Sequence, residues 1–105
     1  MRVAYACPAS LAAAFATQCA RLERPASSVL RDLMSDFATV AVQKPALIAN
    51  EPALAANDKM IPKLVELSVA RRNAFVAACQ LCRTKQSVVI RTLIRQFIAV
   101  MEAAA

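Results

Sequence analysis

The sequence predicts a mainly α-helical single domain with two short strands, built from two tandem copies of one strand–helix–helix unit. Three observations lead there. Residues 3–41 recur sixty positions later without a gap. That shift superimposes Ala14 on Ala74, Phe15 on Phe75, Cys19 on Cys79, Ser27 on Ser87, Val29 on Val89, Arg31 on Arg91, Leu33 on Leu93, Phe37 on Phe97 and Val40 on Val100. Each copy opens on period-two alternation and continues with two stretches of helical period. Finally, 105 residues at 59 % apolar suffice for one modest core, but not for two. A single copy cannot bury its apolar face alone, so the expectation is a pseudo-symmetric pair sharing one core, as if a homodimer had been fused. Residues 1–105 then form one domain, with the first copy at 1–42, a linker at 43–61 and the second copy at 62–105.

In the first strand Val3, Tyr5 and Cys7 alternate with Arg2, Ala4 and Ala6; in the second, Val65, Leu67 and Val69 alternate with Leu64, Glu66 and Ser68. Pro8 ends the first strand. Helix A follows over about 9–22, with Leu11, Phe15, Cys19 and Leu22 on one stripe. Its counterpart over about 69–82 carries Phe75, Cys79 and Cys82, with Arg71 in place of Leu11, which opens that end to solvent. Helix B begins after Arg24-Pro25-Ala26-Ser27-Ser28 and after Thr84-Lys85-Gln86-Ser87; Pro25 suits a first turn and Thr84 a cap. Its broad stripe (Val29, Leu30, Leu33, Met34, Phe37, Val40) is matched by Val89, Ile90, Leu93, Ile94, Phe97 and Val100. In the linker, Pro45 and Pro52 are breaks, and residues 52–57 are expected to form one or two helical turns.

The inventory of side chains narrows the chemistry. Glycine is absent, which excludes the glycine-dependent phosphate loops, and histidine is absent, which removes the usual general base and metal imidazole. No nucleophile has an evident activating partner, so the chain reads as a non-enzyme that needs no cofactor. The net charge of +6 is uneven. Residues 1–43 hold four arginines against Glu23, Asp32 and Asp36, whereas residues 61–105 hold seven Lys/Arg against Glu66 and Glu102. The basic second copy suits a polyanion, nucleic acid before membrane.

Cys79 and Cys82 have the spacing of a metal knuckle, yet both fall in a helical pattern without a second pair at similar spacing. With Cys7 and Cys19 they read as reduced core residues, which implies a cytoplasmic setting and leaves no metal ligand set. The first twenty residues resemble a leader, but the same pattern recurs internally at 63–80, which argues for folded core instead. No stretch is long enough to span a bilayer.

A strand, two helices and the phrase Ser-x-x-Leu/Ile-Arg opening the second helix, here Ser27-Ser28-Val29-Leu30-Arg31 and Ser87-Val88-Val89-Ile90-Arg91, resemble one half of a ribbon-helix-helix (Arc/MetJ-type) protein. Two copies in one chain are similar to the TraY-type accessory proteins of plasmid-transfer relaxosomes. The resemblance implies an antiparallel two-stranded ribbon that enters the major groove of duplex DNA, and a role as transcriptional regulator or relaxosome accessory factor. It places Arg2, Ala4, Ala6, Leu64 and Glu66 toward the bases. It places Pro25, Ala26, Ser27, Lys85, Gln86 and Ser87 near phosphates, where helix N–H groups favour anions.

The chemistry of those positions is unequal. Arg2 is a conventional base reader, Ala4 and Ala6 offer contact with a thymine methyl, Leu64 is apolar, and Glu66 accepts from cytosine N4 while repelling phosphate. Lys63, Arg71, Arg72, Arg83, Lys85, Arg91 and Arg95 are candidate phosphate contacts; Arg91 and Arg95, one turn apart, equally suit a solvated face. Ala4, Ala6 and Leu64 also admit a second reading, in which the ribbon face docks a protein or a second copy and binds little DNA.

Overall fold

The computed structural model describes residues 1–44 and 51–105, so Pro45 lies outside the described residues. Its elements run β1 (Arg2–Pro8), α1 (Ala9–Arg21), α2 (Ala26–Gln43), β2 (Met60–Glu66), α3 (Val69–Leu81) and α4 (Gln86–Ala103). The two alternating segments are strands, and they pair antiparallel as a two-stranded sheet. Ala4 lies opposite Leu64, its counterpart sixty positions on, and the pairing runs outward evenly from there: Val3 faces Val65, Tyr5 faces Lys63, Arg2 faces Glu66 and Ala6 faces Pro62. At one end Met1 and Leu67 exchange two further bonds, of 2.8 Å from the Leu67 N–H and 2.7 Å from the N-terminal ammonium.

β2 begins four residues before the alternation starting at Leu64 suggests, because Met60–Pro62 pair with Ala6–Pro8. Pro62 fits there since a two-stranded ribbon leaves one edge of each strand without ladder bonds. Val69, where the strand alternation and the helix expected over about 69–82 overlap, opens α3.

The helices are ended by backbone geometry that the copies share. Glu23 and Arg83, sixty apart, both adopt left-handed conformations with φ of 54° and 52°. After α1, the N–H groups of Glu23 and Arg24 return to the carbonyls of Ala20 and Cys19; after α3, those of Arg83 and Thr84 return to Gln80 and Cys79. This is a Schellman closure, usually made by glycine, which this chain lacks. The second helices start at Ala26 and Gln86, earlier than the sequence suggests, behind Pro25 and Lys85 at the N-cap positions. Neither supplies a side-chain cap, and the Thr84 hydroxyl donates back to the Cys82 carbonyl at 2.9 Å rather than capping α4.

The first helices start differently. Ser68 caps α3, its hydroxyl accepting from the Arg71 N–H at 3.2 Å. Its counterpart in the first copy is Pro8, which cannot cap, and the linker substitutes: Ser10 donates its N–H (3.1 Å) and its hydroxyl to the Asp58 carboxylate. Residues 52–57 form no helix; there is a turn at Ala56-Asn57, closed by the Asp58 N–H on the Ala55 carbonyl.

The apolar stripes meet in one main core with a smaller cluster of Ala38, Ala41, Ala78 and Cys82, except that Leu22, Val40 and Val100, expected on those stripes, lie toward helix ends and are exposed. Val29, Leu30 and Met34 of α2 and Val89, Ile90 and Ile94 of α4 are buried with Phe15, Cys19, Phe75, Cys79, Val3, Val65 and Leu67. Packing crosses between the copies, α1 against α4 and α2 against α3. The aromatic contacts repeat that pattern: Phe15 meets Phe97 edge-on with centroids 5.6 Å apart, and Phe75 meets Phe37 at 6.0 Å. Each such edge-to-face pair adds about 1 kcal/mol beyond area burial.

A side chain with a Cβ costs about 1 kcal/mol in the left-handed region relative to glycine. Glu23→Gly and Arg83→Gly are therefore each expected to stabilise the fold by about 0.5–1 kcal/mol, and together additively, in urea denaturation. Destabilisation by both would contradict the closure described here.

Candidate nucleic-acid interface

Alternation along the strands sorts the ribbon into two faces. Val3, Cys7 and Val65 point into the core, so Arg2, Ala4, Ala6, Pro62, Leu64 and Glu66 share the outward face. Leu64 is 59 % exposed, with Ala4 directly across. At one end Arg2 Nε lies 3.4 Å from the Glu66 carboxylate and the N-terminal ammonium 3.7 Å from it, both pairs well exposed. Such pairs contribute at most about 1 kcal/mol to stability, but the one carboxylate offsets part of the charge that Arg2 and the N-terminal ammonium would bring to a polyanion. The outward face is thus apolar across its middle. Sequence reasoning missed Pro62, because the second strand seemed to start later; the signal lay in the repeat, since Pro62 is the counterpart of Arg2.

Lys63 faces Tyr5 across the ribbon and belongs by alternation to the helix-facing side, although its side chain is exposed. Burial pushes the Tyr5 hydroxyl up to about 12. Burial also raises the Cys7 thiol, opposed by the positive charges of Lys63, Arg91 and Arg95.

The two second-helix starts differ in charge. At α4, Arg83 and Lys85 are exposed, Gln86 and Ser87 are half-buried in the first turn, and Arg83, Thr84, Lys85 and Gln86 line a cleft of about 330 Å³. The aligned N–H groups and positive dipole end of α4 favour an anion there. At α2 the equivalent turn holds Glu23, Arg24 and Pro25, with Ser27 exposed. Arg24 is occupied, donating to Ser28 Oγ at 2.9 Å and to the Asp32 carboxylate at 2.5 Å. Asp32 is replaced by Thr92 in the second copy, so the acid that neutralises the first turn has no equivalent at α4. Arg71 and Arg72 sit in the first turn of α3, the far end of that helix from Arg83; Arg72 donates to Asn73 Oδ1 at 3.3 Å.

Arg91 and Arg95 are neither a solvated face nor open to a polyanion. Arg91 grips Glu51 through Nε (2.5 Å) and Nη2 (2.9 Å) and donates Nη1 to the Ala6 carbonyl at 2.9 Å, while Arg95 Nη1 reaches Glu51 at 3.1 Å. The hydrogen bond from Arg91 holds the Glu51 carboxyl below its usual range, and Glu51 raises Arg91 in turn. Nothing in the residue spacing announces this triad, since Glu51 lies forty positions from Arg91 and forty-four from Arg95.

All four thiols are buried. Burial, helped by neighbouring Cys82, pushes Cys79 up to about 12, and burial raises Cys19. High thiol pKa values make poor nucleophiles and poor metal ligands. Among the described residues no cluster of His, Cys, Asp and Glu is arranged to hold a metal ion, and no helix is long and apolar enough to cross a membrane.

Set beside known protein families, curated proteins and solved structures, the chain matches none.

Glu51→Gln removes the charge from a half-buried carboxylate that accepts three hydrogen bonds from two arginines, and is expected to cost about 2 kcal/mol at pH 7. The folded pKa lies below the unfolded one, so this contribution is present above the ordinary glutamate range and disappears as pH falls through the folded value. Urea denaturation should therefore show wild type and variant well separated above about pH 5, converging in more acid solution. A gap that persists undiminished at pH 2 would contradict the ion-pair account.

Proposed function

We propose that this chain binds duplex DNA as a ribbon-helix-helix protein whose two halves are fused into a tandem pseudo-dimer, acting in transcriptional regulation or as an accessory factor in plasmid transfer. The observation that carries the reading is the antiparallel ribbon in which Ala4 meets Leu64, its own counterpart in the repeat. Crossed packing of α1 on α4 and α2 on α3 supports the same fused symmetry.

On this reading the start of α4 is the main phosphate anchor. Arg83 and Lys85 supply charge, and the N–H groups near Gln86 and Ser87 supply directed donors. The start of α2, with Ser27 and without a free arginine, contributes less. Between them the ribbon presents Ala4, Ala6, Pro62 and Leu64 to the groove, where apolar contact with thymine methyl groups is their only readout. Arg2 and Glu66 read bases only once their mutual ion pair opens. Affinity then comes chiefly from phosphates, and sequence discrimination is modest.

A second reading is favoured by one observation, the 59 % exposure of Leu64 in the middle of an apolar outward face. In that case the ribbon docks a protein or self-associates.

Gel shifts on duplexes of varied sequence at two salt concentrations separate the readings. The DNA reading expects binding that weakens steeply with salt, and a double variant Arg83→Ala, Lys85→Ala that loses about tenfold or more on every sequence, with a salt slope reduced by about 2. No detectable duplex binding at low salt, together with a salt-insensitive larger assembly by light scattering, would replace it with the docking reading.

A further inference from the structure

Two grooves of this fold are lined by matching positions of the two copies. The first, about 730 Å³, lies between α1 and α4. Linker residues Pro52, Ala53, Leu54 and Ala55 form its third wall, tied at one end by Glu51 to Arg91 and Arg95 and at the other by Asp58 to the start of α1. The second, about 430 Å³, lies between α2 and α3 and is lined by Ala38, Thr39, Val42, Ala70, Arg71 and Ala74. Every one of these is the sixty-position counterpart of a residue lining the first groove. On α2, Ala38 matches Ile98, Thr39 matches Ala99 and Val42 matches Glu102. On α3, Ala70 matches Ser10, Arg71 matches Leu11 and Ala74 matches Ala14. Among the described residues, the lining of the second groove includes none from the linker.

We propose that the second groove takes an extended peptide segment of a partner protein, carrying a carboxylate followed by proline and small apolar residues around a leucine, the chemistry of Glu51–Ala55. The proposal rests on the repeat equivalence of the pseudo-dimer reading, but not on DNA binding. The first groove shows what such a wall is made of and how it is held.

Charge and hydrogen bonding fit the same occupant. Arg71, in place of Leu11, is a cation in the lining itself, and Arg31, the counterpart of Arg91, lies one helical turn before the lining residue Ser35 on α2. Among the described residues neither is in an ion pair. Ser35, the counterpart of Arg95, also lines the groove, and its hydroxyl oxygen is shielded from solvent without a partner among the described residues. Rotation about its Cα–Cβ bond would bring the hydroxyl to a peptide carbonyl or carboxylate in the groove, which would satisfy it. Because Ser68 already caps α3, the segment needs no equivalent of Asp58; a carboxylate, a proline and a leucine suffice.

The test uses the full chain and a synthetic peptide of residues 51–58, followed by amide chemical shifts and by anisotropy of the labelled peptide. Saturable shifts clustered at Ala38, Val42, Ala70 and Ala74 are expected. Arg31→Glu should weaken binding about tenfold, and a peptide carrying Glu51→Lys should recover it on that variant. Ala74→Glu, on an exposed position of α3, should abolish binding without altering the helical circular dichroism. No saturable shift up to millimolar peptide, or shifts confined to Leu11, Ala14 and Ile98, would overturn the proposal. Gel shifts on the same samples report DNA binding separately, so either idea can fail alone.

Discussion

Pairing of β1 with β2 is the constraint on which every other contact depends. Among the described residues each strand has only the other as partner, and a lone two-stranded ribbon is marginal in water. It is held because Val3, Cys7 and Val65 enter the core beneath it, against helices drawn from both copies. A slip of one residue would turn Val3 or Val65 to solvent and bring Arg2 or Glu66 inward, so burial fixes the register. With the register fixed, the helices that follow each strand are set on opposite sides of the Ala4–Leu64 contact.

The two halves of the repeat differ in sequence, and residues 51–58 compensate for two of the differences. Pro8 stands where the second copy has the capping Ser68, and Asp58 provides the missing acceptor for α1. Arg91 and Arg95 would be two half-buried cations beneath the ribbon, and Glu51 neutralises them. Residues 51–58 are therefore a structural strap fastened at Glu51 and at Asp58 beside the first groove. Divergence in charge runs the other way: Asp32 and Asp36 in α2 become Thr92 and Gln96 in α4, leaving the second copy as the more basic surface.

The repeat, the strand alternation and the helical stripes are all legible in the chain, because each depends on periodicity within a short window. The outward ribbon positions Arg2, Ala4, Ala6, Leu64 and Glu66 follow from the same period. What escaped was set by the partner segment. Pro62 joins the outward face only through pairing with Ala6, and Arg2 meets a carboxylate only because the register brings Glu66 opposite. Arg91 and Arg95 looked like open cations because their carboxylate comes from a region with no period of its own. Thr84 has the right chemistry for a cap, yet the left-handed turn at Arg83 aims its hydroxyl back at Cys82.

The most direct measurement is the pattern of Hα–Hα nuclear Overhauser effects across the ribbon in the full chain. Met1 and Leu67 exchange two backbone bonds, so every second pair counted from there is non-bonded, and Ala4 and Leu64 form such a pair. Their Cα atoms should lie about 4.5 Å apart, giving a strong Ala4–Leu64 cross-peak, with matching ones for Arg2–Glu66 and Ala6–Pro62. Absence of these cross-peaks, or their displacement by one residue along either strand, would contradict a ribbon centred on the repeat and the fused symmetry built on it.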